Sequence, residues 1–62
     1  MLYRYRLHYE DGSDAGQAEY AVNIKRDEII WTGDGRKLHV LDAVPVEDES
    51  SPFVGLLMVE TM

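Results

Sequence analysis

Polar and apolar residues alternate over the first ten positions: Tyr3, Tyr5, Leu7 and Tyr9 share one parity, and Arg4, Arg6, His8 and Glu10 the other. Side chains of an extended chain point alternately to opposite faces, so this stretch predicts a strand with one aromatic and one charged face. The segment DGSDAGQ, residues 11–17, is dense in residues that tolerate positive φ or hydrogen-bond their own backbone, and it predicts a reversal. A second strand is then expected in AEYAVNI, with Ala18, Tyr20, Val22 and Ile24 on its apolar face.

Beyond the polar break KRDE, the stretch IIWT is β-branched and aromatic, Gly33-Asp34-Gly35 supplies a tight turn, and KLHVLDAVPV resumes the strand pattern. Within that fourth strand the phase slips: Leu38 and Val40 share a face, whereas Leu41 and Ala43 take the other, which predicts a bulge near Leu41 and Asp42. Pro45 sets the end of the strand at an edge or out of the sheet. After the charged turn EDESSP, the last strand FVGLLMVE is apolar on both parities, with Phe53, Gly55, Leu57 and Val59 on one side and Val54, Leu56 and Met58 on the other. A strand with one wet face alternates, so this one calls for cover beyond its own sheet, and a second copy of the chain is the simplest cover. Gly55 is a candidate kink.

No stretch holds the apolar spacing of a helix for an adequate length, DEIIWT included. Five short strands separated by turn signals predict a single all-β domain over residues 1–62, a small five-stranded antiparallel barrel or a strongly bent sheet. The cadence of a long first strand, a long loop, two strands joined by a tight turn and a closing strand resembles the SH3-like small barrels over nearly the whole chain. The segment RDEIIWTGDGRKLHVLDAVPV also resembles a pattern in short uncharacterised bacterial proteins of this size. SH3-like barrels serve as peptide readers, nucleic-acid binders and assembly pieces, so the resemblance implies a fold and leaves the function open. The paired aromatics of the peptide-reading family are not matched in order, because Tyr3, Tyr5 and Tyr9 stand on a strand and not in a groove-forming loop.

Size and charge narrow the classes. A chain of 62 residues buries only about 60% of its unfolded surface, so its core is marginal and outside help is expected. With no cysteine, disulfides and thiolate metal sites are excluded, which leaves metal on His and carboxylate, or self-association. MLYRYRLHYE lacks the apolar segment of a signal peptide, and no run reaches a membrane span, so a cytoplasmic setting is expected. The net charge is −6, from 12 acidic and 6 basic residues, which disfavours a generic nucleic-acid or anionic-membrane binder. All six cations (Arg4, Arg6, Lys25, Arg26, Arg36, Lys37) precede residue 38, so a local basic face remains an alternative nucleic-acid surface.

Among candidate sites, Gly33-Asp34-Gly35 beside Arg36 and Lys37 could face an anion, but no helix or longer glycine loop backs it, and a plain turn is expected. Trp31 is the largest apolar side chain available to a poor core and is expected inside; exposed, it would be a contact anchor. His8 and His39, with Asp42 or Glu10, would make a three-ligand metal site only if the first and fourth strands paired, and solvated or packing histidines are the expectation. Ser13, Ser50 and Ser51 lie in turns, and the carboxylates of VEDES form a solvated loop, so no catalytic site is expected. A stacking platform is disfavoured because tyrosines and arginines of the first strand point to opposite faces. The reading is a non-enzymatic interaction module without cofactor, metal or membrane, a homodimer through Val54, Leu56 and Met58 with Trp31 as anchor, open to a protein partner, with nucleic acid as the alternative.

Overall fold

A computed structural model describes residues 2–62. Strands β1 (Tyr3–Tyr9), β2 (Asp14–Tyr20), β3 (Ile29–Trp31), β4 (Lys37–Pro45) and β5 (Gly55–Thr61) form one sheet in the order β2-β1-β5-β4-β3. The sheet curls into a half-barrel, all-β as the alternation predicts. It is assembled from two antiparallel units, the β1–β2 hairpin and the β3–β4–β5 meander. They join through β1 and β5, which pair in parallel from Tyr5 opposite Gly55 to Tyr9 opposite Val59. A parallel pair needs a long crossover; here it comprises β2, the loop 21–28, β3 and β4, so the sheet is mixed and not wholly antiparallel.

Alternation decides what fills the concave face. Tyr5 and Leu7 of β1, Ala15 of β2, Ile30 of β3, Leu38 and Val40 of β4, and Leu57 and Val59 of β5 are buried there, and Ile24 reaches the same core from the loop 21–28. The loop is held by Tyr5, whose hydroxyl donates to Asn23 Oδ1 at 2.7 Å and accepts from the Ile24 N–H at 2.9 Å. The predicted phase slip in β4 is a bulge: Val40 pairs with Val59 and Asp42 with Met58, so Leu41 has no partner. Before the bulge Leu38 and Val40 face inward, and after it Ala43 and Pro45 do, opposite Leu57 and Gly55.

Two expectations are corrected. The reversal after β1 is shorter than DGSDAGQ: Gly12, at φ 87°, donates to the Tyr9 carbonyl, Asp11 caps Ser13, and β2 begins at Asp14. Gly16 is therefore not a turn residue but part of a bulge in β2, with φ 103° and its N–H on Asp14 Oδ1 at 2.8 Å. Consequently β2 ends at Tyr20, and Val22 lies exposed in the loop instead of on an apolar strand face.

Trp31 is the second correction, since it is 60% exposed. The Gly33–Gly35 turn closes with Thr32 N–H on the Arg36 carbonyl and Gly35 N–H on the Thr32 carbonyl, both 3.0 Å. That closure sets Ile30 opposite Leu38 and Trp31 opposite Lys37. Leu38 is an inward residue, so Ile30 enters the core and Trp31 shares the outer face with Lys37.

Candidate functional site

The outer, convex face carries the residues that the last strand's double apolarity singled out. Leu57 and Val59 are buried on the concave side, and Val54, Leu56 and Met58 point outward. Register aligns Arg6, Leu56 and Val44 in one row across β1, β5 and β4, and His8, Met58 and Asp42 in the next. Val54 extends the strip before β5, donating to the Arg4 carbonyl at 2.8 Å and accepting from the Val46 N–H at 3.1 Å. Met58, in the middle of the sheet, and Val44 and Val54, near the end of β4 and before β5, keep 41%, 50% and 39% of their surface exposed on a face where an outward residue is normally polar.

Trp31 does not join this strip. It pairs with Lys37 at the start of β4, whereas Val44 lies near its end, about 20 Å away at the rise of an extended chain. The Lys37 ammonium stands over the indole, 5.8 Å from the ring centroid.

The six cations do not form one face. Arg4 is paired with Glu19 at 2.7 Å on the convex side. Arg6 stands exposed beside Leu56 and has no ion pair among the described residues. Lys25 and Arg26 are in the loop 21–28, at the open end of the half-barrel. Tyr3, Tyr5 and Tyr9 turn to the concave side, packed in or against the core, away from Arg4 and Arg6.

Arg36 is a structural clamp. Its Nε donates to both carboxylate oxygens of Asp34, at 3.0 and 3.1 Å, which aims Nη1 at the Tyr9 hydroxyl and Nη2 at the Ala15 carbonyl, each 2.8 Å away. The hairpin tip thus spans the open seam between β3 and β2 and satisfies the carbonyl of the bulged residue. Thr32 and Arg36 together hold the Asp34 carboxyl below its ordinary value, the Thr32 hydroxyl bond being the larger cause. Asp34 in turn holds the Arg36 guanidinium above its own. A second strut crosses the same seam, from the Tyr20 hydroxyl to the Trp31 carbonyl at 2.9 Å. Partial burial pushes the Tyr20 phenol up.

The two histidines are apart, because β5 lies between β1 and β4. His8 is opposite Met58, while His39 Nδ1 meets Glu60 Oε2 at 2.7 Å and its Nε2 lies 3.6 Å from Asp27 Oδ1. No group of three or more His, Cys, Asp or Glu among the described residues is placed to hold a metal ion. Serines are engaged within their own turns: Ser13 Oγ donates to Asp11 and Ser50 Oγ to Asp48, and Ser51 Oγ accepts from the Phe53 N–H. No helix among the described residues is long and apolar enough to cross a membrane.

One feature has no signal in the strand pattern. A cavity of about 510 Å³ opens at the end of the half-barrel, between the start of β1, the end of β4 and the loop 21–28. Its walls join residues from four separate stretches of the chain, so only the tertiary structure brings them together. Comparison of the chain with protein-family models, with curated proteins and with solved structures found no match.

Proposed function

We propose that the chain is a small SH3-like interaction module of the cytoplasm that pairs with a second copy of itself through the convex face of β4 and β5. The observation that carries this reading is the exposed strip of Val44, Val54 and Met58 around half-buried Leu56, on β4, β5 and the approach to β5. Covering it would remove apolar surface from water at about 25 cal/mol per Å² and would supplement a core that a chain this short makes only thinly.

Charge favours a second copy as the cover. Arg6 and His8 border the strip on the β1 side, and Asp42 borders it on the β4 side. A two-fold axis along β5 lays β1 of one copy over β4 of the other, so the basic border of each protomer meets the acidic border of its partner. An axis across the strands would instead set Arg6 over Arg6. Two sheets packed this way form an aligned sandwich, crossing at about −30°. Trp31 and the acidic turn of Glu47, Asp48 and Glu49 stay outside that interface, available to a protein partner. The reading assigns the chain binding and no catalysis, and it is favoured over nucleic-acid binding because Arg4, Arg36 and Lys37 already have intramolecular partners.

Light scattering after size exclusion tests the proposal. The wild-type chain is expected to run as a dimer at micromolar concentration and Leu56→Glu as a folded monomer, with Val22→Glu, in the loop, still a dimer. A monomeric wild type, or a Leu56→Glu protein that stays dimeric, overturns it. So does retention of single-stranded nucleic acid that weakens steeply with salt.

A further inference from the structure

We propose that the cavity at the open end of the half-barrel is a binding site for a small organic carboxylate with an apolar body, such as a medium-length acyl chain. At about 510 Å³ it falls in the range of small-molecule sites, about 300–1,000 Å³. Its apolar lining includes Tyr3 and Tyr5 with Ala43, Pro45 and Gly55, and it shares Val44 and Val54 with the convex strip. Gly55 leaves little room for a side chain: a Cβ there would stand 3.1 Å from both the Tyr5 ring and the Val44 carbonyl, so a neighbour would have to give way.

The polar groups on the rim are mostly donors. Lys25 and Arg26 are exposed there, with no ion pair among the described residues. This is unusual for a chain of net charge −6, and neither carboxylate of the same loop is in the lining. Glu28 accepts from the Lys25 backbone N–H at 2.8 Å, and Asp27 lies beside His39. Asn23 accepts the Tyr5 hydroxyl proton on Oδ1, which leaves its Nδ2 protons to donate. The one carboxylate in the lining, Asp42, is on β4, across from the loop, and accepts from the Ala43 N–H at 2.9 Å. Two cations and an amide over an apolar well match an anionic head on an apolar body. Neither half of the site serves the other kind of ligand: a fully polar anion leaves the well wet, and a neutral hydrocarbon leaves the cations unmatched.

The site shares Val44 and Val54 with the convex strip, but Leu56 and Met58 are outside its lining, so the two proposals are separable at Leu56. Titration of the backbone amides by NMR with octanoate, octan-1-ol, octyltrimethylammonium and acetate tests it. Octanoate is expected to shift Asn23, Lys25, Arg26, Ala43 and Gly55 saturably and at least about tenfold more tightly than the other three. Lys25→Glu/Arg26→Glu should weaken octanoate by about tenfold or more with the rest of the spectrum retained. Leu56→Glu should bind as the wild type does, so failure of the dimer leaves this result intact. Equal affinity for octan-1-ol, unchanged affinity in the double variant, or shifts confined to the convex face overturns the proposal.

Discussion

Single side chains hold this small sheet in shape where ladders cannot. The Tyr5 hydroxyl is such a point, because the buried backbone N–H of Ile24 has no ladder partner and donates to it. Removing one partner of a buried hydrogen bond leaves the other unsatisfied, at a cost of about 1–3 kcal/mol. Tyr5→Phe is therefore expected to lower the unfolding free energy by that much, read as a lower urea midpoint with an unchanged slope, and to loosen the loop that carries Ile24. Gly55→Ala tests space instead of polarity, since the added methyl meets a backbone carbonyl that cannot swing away. A loss of about 1–3 kcal/mol is expected in the same assay. Asp34 gives a pH dependence. Its pKa is depressed in the folded chain below 3.8 by the Thr32 hydroxyl and Arg36, so the stability it contributes is complete above that value and lost as pH falls through the lower folded one. Melting temperature should fall on acidification below about 4, and Asp34→Asn should flatten that fall while lowering stability at neutral pH.

At the scale of elements, the strands were more legible than their phase. The alternation of β1 and the slip in β4 could be read directly, because inward and outward residues differ in kind there and the bulge shows as two apolar residues in succession. IIWT has apolar side chains on both parities, so composition cannot say whether Ile30 or Trp31 faces in; the turn length decides it, by placing Ile30 opposite inward-facing Leu38. Gly16 misled for the converse reason. A glycine with positive φ serves a bulge as well as a turn, and only the partner strand distinguishes them. The last strand is apolar on both faces, one buried and one partly exposed, and the two should respond differently to substitution. Leu57→Ala empties a fully buried position and is expected to cost about 2–5 kcal/mol, whereas Leu56→Ala, on the half-exposed face, should cost less and act mainly on assembly. Urea unfolding of the two variants at one concentration, beside light scattering, separates the effects.

For the whole molecule, neighbour relations were the hidden quantity. Nothing in the local pattern says that β5 inserts between β1 and β4, and that single fact separates His8 from His39 and lines up Arg6, Leu56 and Val44. The cavity was illegible for the same reason, since its walls come from β1, the loop 21–28, β4 and the approach to β5. The proposed dimer makes a prediction at this scale that no monomeric half-barrel shares. If the convex strip is covered only by a second copy, folding and association are linked, and raising protein concentration stabilises the folded state by mass action. About a hundredfold increase in concentration adds RT ln 100, about 2.7 kcal/mol per dimer, or about half of that per protomer. For a chain of this length that is a rise in melting temperature on the order of 5–10 °C. Leu56→Glu should abolish the rise, leaving a melting temperature independent of concentration. Val22→Glu should preserve it, because that loop position is exposed and lies outside the strip. A wild-type melting temperature that stays constant over that range would mean that the apolar face is tolerated bare, and would assign Val44, Val54 and Met58 to a partner other than the chain itself.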